Sequence, residues 1–79
     1  MNASLPVLTG KDVLRALARA GFVLDRVVGS HHVMTRSGDP RRTVSVPVHG
    51  NRDLKRGTLR AIVRQAGLIP EEFRRLLEA

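Results

Sequence analysis

Phe22-Val23-Leu24-Asp25-Arg26-Val27-Val28-Gly29-Ser30-His31-His32-Val33-Met34-Thr35-Arg36 is the stretch that decides the fold. Two valine-bearing runs, 22–28 and 31–36, flank a Gly-Ser step. β-Branched residues fit a pleated surface, so each run reads as a strand and Gly29-Ser30 as the tight turn between them. Ser37-Gly38-Asp39-Pro40 then supplies loop chemistry. From Thr43 to Val48, Val44, Val46 and Val48 alternate with Thr43, Ser45 and Pro47. This period of two predicts a third strand. Pro47 donates no amide hydrogen, which puts that strand at an edge or ends it there.

Helical periodicity lies on both sides of the strands. Residues Met1 to Leu8 read as a loosely held start, interrupted by Pro6. Thr9 is a candidate N-cap, with Asp12 three residues on as a variant capping box. Leu14, Leu17, Ala18 and Gly21 follow at helical spacing, flanked by Val13 and Ala20, predicting a helix over about 10–20 that Gly21 stops. Leu59, Ile62, Val63 and Ala66 repeat the pattern and predict a helix over about 58–66, capped by Thr58 and stopped by Gly67. Pro70-Glu71-Glu72 opens a short third helix, with proline in the first turn and carboxylates at the positive end of the dipole. Phe73, Leu76 and Leu77 are its apolar contacts. The order α-β-β-β-α plus a terminal helix implies an α+β sandwich. A three-stranded antiparallel sheet has both long helices over one face and leaves the other open to water or a ligand.

Seventy-nine residues make one domain, 1–79, with no room for a second. A chain of this length buries only about 60–65% of its unfolded surface, so the core is a single layer contact. There are no cysteines, which excludes disulfides and thiolate metal sites and fits a reducing compartment. The sequence shows no signal peptide and no apolar run of membrane-spanning length. A soluble cytoplasmic protein is expected.

The charge is lopsided, with 14 Lys and Arg against 7 Asp and Glu, a formal net charge of +7. Twelve of the 14 are arginine, whose planar fork binds phosphate bidentately. Nucleic acid is the partner this balance favours over an acidic protein. Phe22 and Phe73 are the only Phe, Tyr or Trp residues, which argues against base stacking on an aromatic platform. Recognition must work through phosphates, 2′-hydroxyls and backbone shape.

Three histidines can move protons near neutral pH. His31 and His32 are adjacent in a strand, so one faces the core and the other faces outward. The residues alone do not say which. Their divergence also argues against a metal site, which only the distant His49 could complete. His49 itself reads first as a loop histidine ending the third strand, and second as an acid–base group or phosphate contact. Lys11, Arg15 and Arg19 fall on one side of the first helix, and Arg56, Arg60 and Arg64 on one side of the second. Like charges at this spacing cost stability, which a solvated surface alone does not explain. The second stripe, with Lys55 beside it, is therefore the expected phosphate-binding surface, at a helix start that offers free amides.

In order along the chain, Ala20-Gly21-Phe22, Gly29-Ser30-His31-His32, Val46-Pro47-Val48-His49 and the run from Asp53 to Leu68 together resemble the HicA-type toxins of HicAB toxin–antitoxin systems. The most specific part is Lys55-Arg56-Gly57-Thr58-Leu59 followed by Ile62 and Gln65-Ala66-Gly67-Leu68. The resemblance implies a double-stranded-RNA-binding-domain-like fold and an mRNA-cleaving toxin restrained by a HicB-like antitoxin. It implies that the histidine directly after Gly-Ser, here His31, is catalytic, with Gly29 and Ser30 shaping the site and Lys55, Arg56, Arg60 and Arg64 on RNA. His32 then turns inward beside Met34. Neither a metal nor a small-molecule cofactor is implied. The competing readings are an RNA-binding module without catalysis and a domain that binds only an acidic protein partner.

Overall fold

The computed structural model describes residues 5–79. The elements are α1 (Gly10–Arg19), β1 (Val23–Val28), β2 (His31–Arg36), β3 (Arg42–Pro47), α2 (Arg56–Gln65) and α3 (Pro70–Glu78). The strands form one antiparallel sheet in the order β1-β2-β3. The expected α+β class and the α-β-β-β-α order with a terminal helix are found.

The start of α1 follows from its first residues. The Asp12 amide donates to Thr9 Oγ1 at 3.2 Å, and the Asp12 carboxylate accepts from the Thr9 amide at 3.0 Å. This reciprocal pair satisfies two of the amides that a helix start leaves unpaired. The Thr9 amide holds the Asp12 carboxyl below its ordinary range, with Arg15 adding to the effect against an opposing burial cost. The start of α2 departs from expectation. It begins at Arg56 with Lys55 as N-cap, and no side chain caps it. Thr58 lies inside the first turn rather than ahead of it. In α3 the Glu72 carboxylate accepts from the Ile69 amide at 3.0 Å, and Phe73 anchors the helix in the core.

The register assigns the sheet's faces, because directly paired residues share one side. Met34 pairs with Val44, and His32 with Val46. Val44 and Val46 are fully buried, so this is the core face. The core joins them to Val13, Ala16, Leu17, Phe22, Leu59, Ile62, Val63, Ala66 and Phe73. Leu5 and Leu8 are buried in it as well, so that part of the N-terminal segment is anchored rather than loose. Residues 1–4 of the expected loose start lie outside the described residues. On α1, Ala16 is buried and Ala18 is exposed, which turns the helix slightly from the expected stripe.

The helices do not cover the sheet evenly. Both α1 and α2 pack against β3. All six residues of β1 are exposed, and Val23, Leu24, Val27 and Val28 keep 50–64% of their surface in solvent. Asp25 is an extra residue in the pairing of β1 with β2, a bulge on an edge strand.

The start of α1 comes close against the end of β3. A Cβ at Gly10 would clash with the Pro47 carbonyl oxygen and stand 3.0 Å from Val48 Cγ2. At Gly57, in α2, a Cβ would meet none of the described residues. Gly10→Ala is therefore expected to destabilise by about 1–3 kcal/mol through overpacking, whereas Gly57→Ala should stabilise by up to about 1 kcal/mol through helix propensity. Urea unfolding of both variants checks the opposite signs. Thr9→Ala should cost about 0.5–2 kcal/mol at neutral pH. Because Asp12 is more acidic when folded, its stabilisation is present above its unfolded pKa and lost as pH falls through its folded one. The deficit of Asp12→Asn should thus shrink in acid, whereas that of Thr9→Ala, which keeps the amide, should persist; thermal unfolding as a function of pH measures both.

Candidate active site

His31 opens β2 directly after the hairpin turn. Gly29 has φ +58, and no residue other than glycine has a positive φ among the described residues. A two-residue hairpin loop with glycine at its first central position matches the twist of the flanking strands. This turn fixes His31 opposite Val28 on one side and Pro47 on the other. Since His32 shares the core face with Val46, His31 faces the open side. There Val28, Pro47, Val33, Ser45 and Arg26 are its register neighbours. His31 is exposed, and among the described residues no carboxylate or other side chain bonds to its imidazole. His32 is half-buried, and its Nδ1 is buried without a hydrogen-bond partner.

Beyond Pro47 lies a hollow of about 320 Å³ lined by Pro47, His49, Arg52, Asp53, Lys55 and Thr58. The segment bearing these residues is tied down. The Leu54 amide donates to the Leu8 carbonyl at 2.8 Å, and Asp53 bridges to Thr9. The Arg52 amide donates to the His49 carbonyl at 3.0 Å, closing the turn through Gly50 and Asn51. Lys55 thus stands where α2 begins, with no acidic residue in that first turn to offset the positive end of the helix.

The expected basic residues divide into two groups. Lys55 shares the hollow with His49 and Arg52. Arg56, Arg60 and Arg64 are exposed along another flank of α2. Arg56 lines a groove with Leu5, Pro6 and Val7, and Arg60 and Arg64 line one with Leu5, Leu68 and Pro70. Arg56, Arg60 and Arg64 are therefore not convergent on His31. The α1 stripe is not an unpaired row of positive charge either. Arg15 is bonded to Asp12, and Arg19 donates to the Leu76 carbonyl at 2.7 Å, which ties α1 to α3. Arg52 was not singled out by spacing; its signal is proximity to Lys55 across a turn, which becomes visible only when the turn closes. Among the described residues, no three His, Asp or Glu side chains group to hold a metal ion, and no helix is long and apolar enough to cross a membrane.

Residues 10–68, most of the chain and all of the elements that carry this site, match the family model described as the HicA toxin of bacterial toxin–antitoxin systems. The chain belongs to the HicA toxin family. It is accordingly the toxin component of a toxin–antitoxin system, with an antitoxin as its partner. No curated protein matches the chain. Within this HicA toxin, the Gly-Ser-His step is a hairpin turn delivering an imidazole to the open sheet face, and the basic run begins at Lys55, in a hollow that Pro47, the strand partner of His31, also lines.

The turn gives a direct test. A side chain at Gly29 would touch nothing, so Gly29→Ala carries only the conformational cost of positive φ. It is expected to destabilise by about 1–2 kcal/mol. Denaturant unfolding should show a lower midpoint at unchanged slope; an unaltered midpoint would mean the turn does not require glycine.

Proposed function

We propose that this HicA toxin is a metal-independent endoribonuclease that cuts mRNA in the cytoplasm, with His31 as a proton-transfer group. The observation that carries this reading is an exposed imidazole without a carboxylate partner, one strand away from a basic hollow. A net charge of +7 draws a polyanion to the surface, and Arg52 and Lys55 concentrate that attraction in the hollow that Pro47, the strand partner of His31, also lines. The RNA backbone lies across the end of β2 and β3, with phosphates in the hollow. Arg56, Arg60 and Arg64 bind further phosphates along the flank of α2.

His31 acts on the bond between phosphorus and the 5′-oxygen. It takes the proton of the neighbouring 2′-hydroxyl, or gives a proton to the departing 5′-oxygen. The 2′-oxygen bonds to phosphorus, the bond to the 5′-oxygen breaks, and a 2′,3′-cyclic phosphate remains. Cationic groups near the phosphate offset charge on the pentacoordinate phosphorus. Gly29 and Ser30 hold the imidazole at the strand start. A HicB-like antitoxin would restrain the enzyme by covering His31 and presenting carboxylates to the arginines. The exposed valines of β1 offer such a partner apolar contact as well.

The test is end-labelled single-stranded RNA incubated with pure protein in EDTA. Wild type should cut it, and His31→Ala should be slower by about 10²–10⁴-fold. A substrate with deoxyribose at the cut position should bind and stay intact. Equal cutting by both proteins, or cutting at the deoxyribose position, would refute the assignment. Binding without cutting by wild type would leave an RNA-binding module.

A further inference from the structure

We propose that His49 is the second proton-transfer residue of this site, working with His31 on opposite sides of the scissile phosphorus. The inference rests on the ribonuclease reading above.

One imidazole is half of what the reaction needs. In-line cleavage removes a proton from the 2′-hydroxyl and adds one to the 5′-oxygen, and these two atoms lie on opposite sides of phosphorus. Each proton partner must come within about 2.6–3.2 Å of its own oxygen. His32 cannot be the second partner despite being next in sequence. It points to the core face, where its Nδ1 is buried.

His49 is far from His31 in sequence but close in register. His31 pairs directly with Pro47. The ladder runs one residue further, because the Val48 amide donates to the Ser30 carbonyl at 2.7 Å. Val48 turns inward, packing on the core and against Gly10. His49 follows just outside β3, where it is exposed and lines the hollow together with Pro47, the direct partner of His31. Diagonal neighbours across an antiparallel pair are about 7–8 Å apart. Two imidazoles at about that spacing can reach the two sides of one phosphodiester, each with a hydrogen bond. The turn closed by the Arg52 amide holds His49 in place. The charged groups around the pair are Arg52, Asp53 and Lys55 in the hollow and Arg26 on the sheet.

The proton balance is simple. One neutral imidazole accepts the 2′-hydroxyl proton while the 2′-oxygen attacks. The electron pair of the breaking bond goes to the 5′-oxygen, which takes a proton from the other, protonated imidazole. Exchange with water restores both histidines.

The experiment is the rate of cleavage of a DNA oligonucleotide containing one ribonucleotide, from about pH 5 to pH 9, under single-turnover conditions. Wild type, His49→Ala and His31→Ala are compared, with RNA affinity and thermal unfolding measured alongside. Wild type should give a bell-shaped profile. His49→Ala should fold normally, cut about 10²–10⁴-fold more slowly at saturating protein, and lose one limb of the bell. Loss of the alkaline limb makes His49 the proton donor, and loss of the acidic limb makes it the acceptor; both support the proposal. A wild-type rate in His49→Ala overturns it, as does a slower rate with both limbs intact, while leaving His31 in its role. Absence of cutting by wild type, or undiminished cutting by His31→Ala, removes the ribonuclease reading and this inference together.

Discussion

The contact between the first turn of α1 and the last residue of β3 is the constraint on which the rest of the molecule depends. Gly10 has no side chain, and that absence lets the helix start rest on the Pro47 carbonyl and on Val48. The contact half-buries Val48 and brings α1 over β3, where Val13, Ala16 and Leu17 meet Val44 and Val46. It also fixes the direction in which the chain leaves the sheet. His49 and the hollow beyond it are positioned by the same contact that closes the core. Packing and site geometry therefore share one physical cause at this end of the sheet.

The molecule divides its charge unevenly. The open face carries valine, threonine, serine and proline, with Arg26 occupied by Asp25. Guanidinium and ammonium groups lie beyond the end of β3 and along the flank of α2. Other arginines serve the fold. Arg36 lies 4.9 Å over the Phe22 ring and donates to the Ala20 carbonyl at the end of α1, and Arg19 reaches the end of α3. Cations at helix C-termini are favourable there, so these residues act on architecture rather than on a polyanion. A charge of +7 is thus a poor guide to the number of phosphate contacts, because part of it is spent inside the fold.

Much of the fold was legible because it is local. Gly29-Ser30 between two strand-forming runs, the alternation of Val44 and Val46, and the Thr9–Asp12 pairing are short-range signals, and the structure contains each of them. The start of α2 was misplaced by two residues, since Thr58 is the better capping side chain and Lys55 offers no oxygen to cap with. Leu5 and Leu8 looked loose because Pro6 breaks periodicity, yet each finds the core singly. The exposure of β1 was hidden in its own composition: valines mark a strand, but which strand the helices cover depends on strand order and helix placement. The candidate site was legible in its parts and not in its grouping. The inward turn of His32 follows from its pairing with buried Val46, as the resemblance implied. Arg56, Arg60 and Arg64 share a helix flank as their spacing requires, but only tertiary packing shows that this flank lies apart from His31. That His49 follows the strand partner of His31 by two residues is a property of the β2–β3 register, which no spacing along the chain records.

The central claim is that RNA crosses the end of the β2–β3 pair and enters the hollow at the start of α2. The most direct measurement is an amide NMR titration of the protein with fully 2′-O-methylated RNA, which removes the attacking hydroxyl. The account predicts shifts concentrated at Ser30, His31, Val48, His49 and the residues from Arg52 to Thr58, with a weaker trail toward Arg64. Shifts concentrated on α1 and α3, with the His31 turn and the start of α2 unmoved, would contradict it.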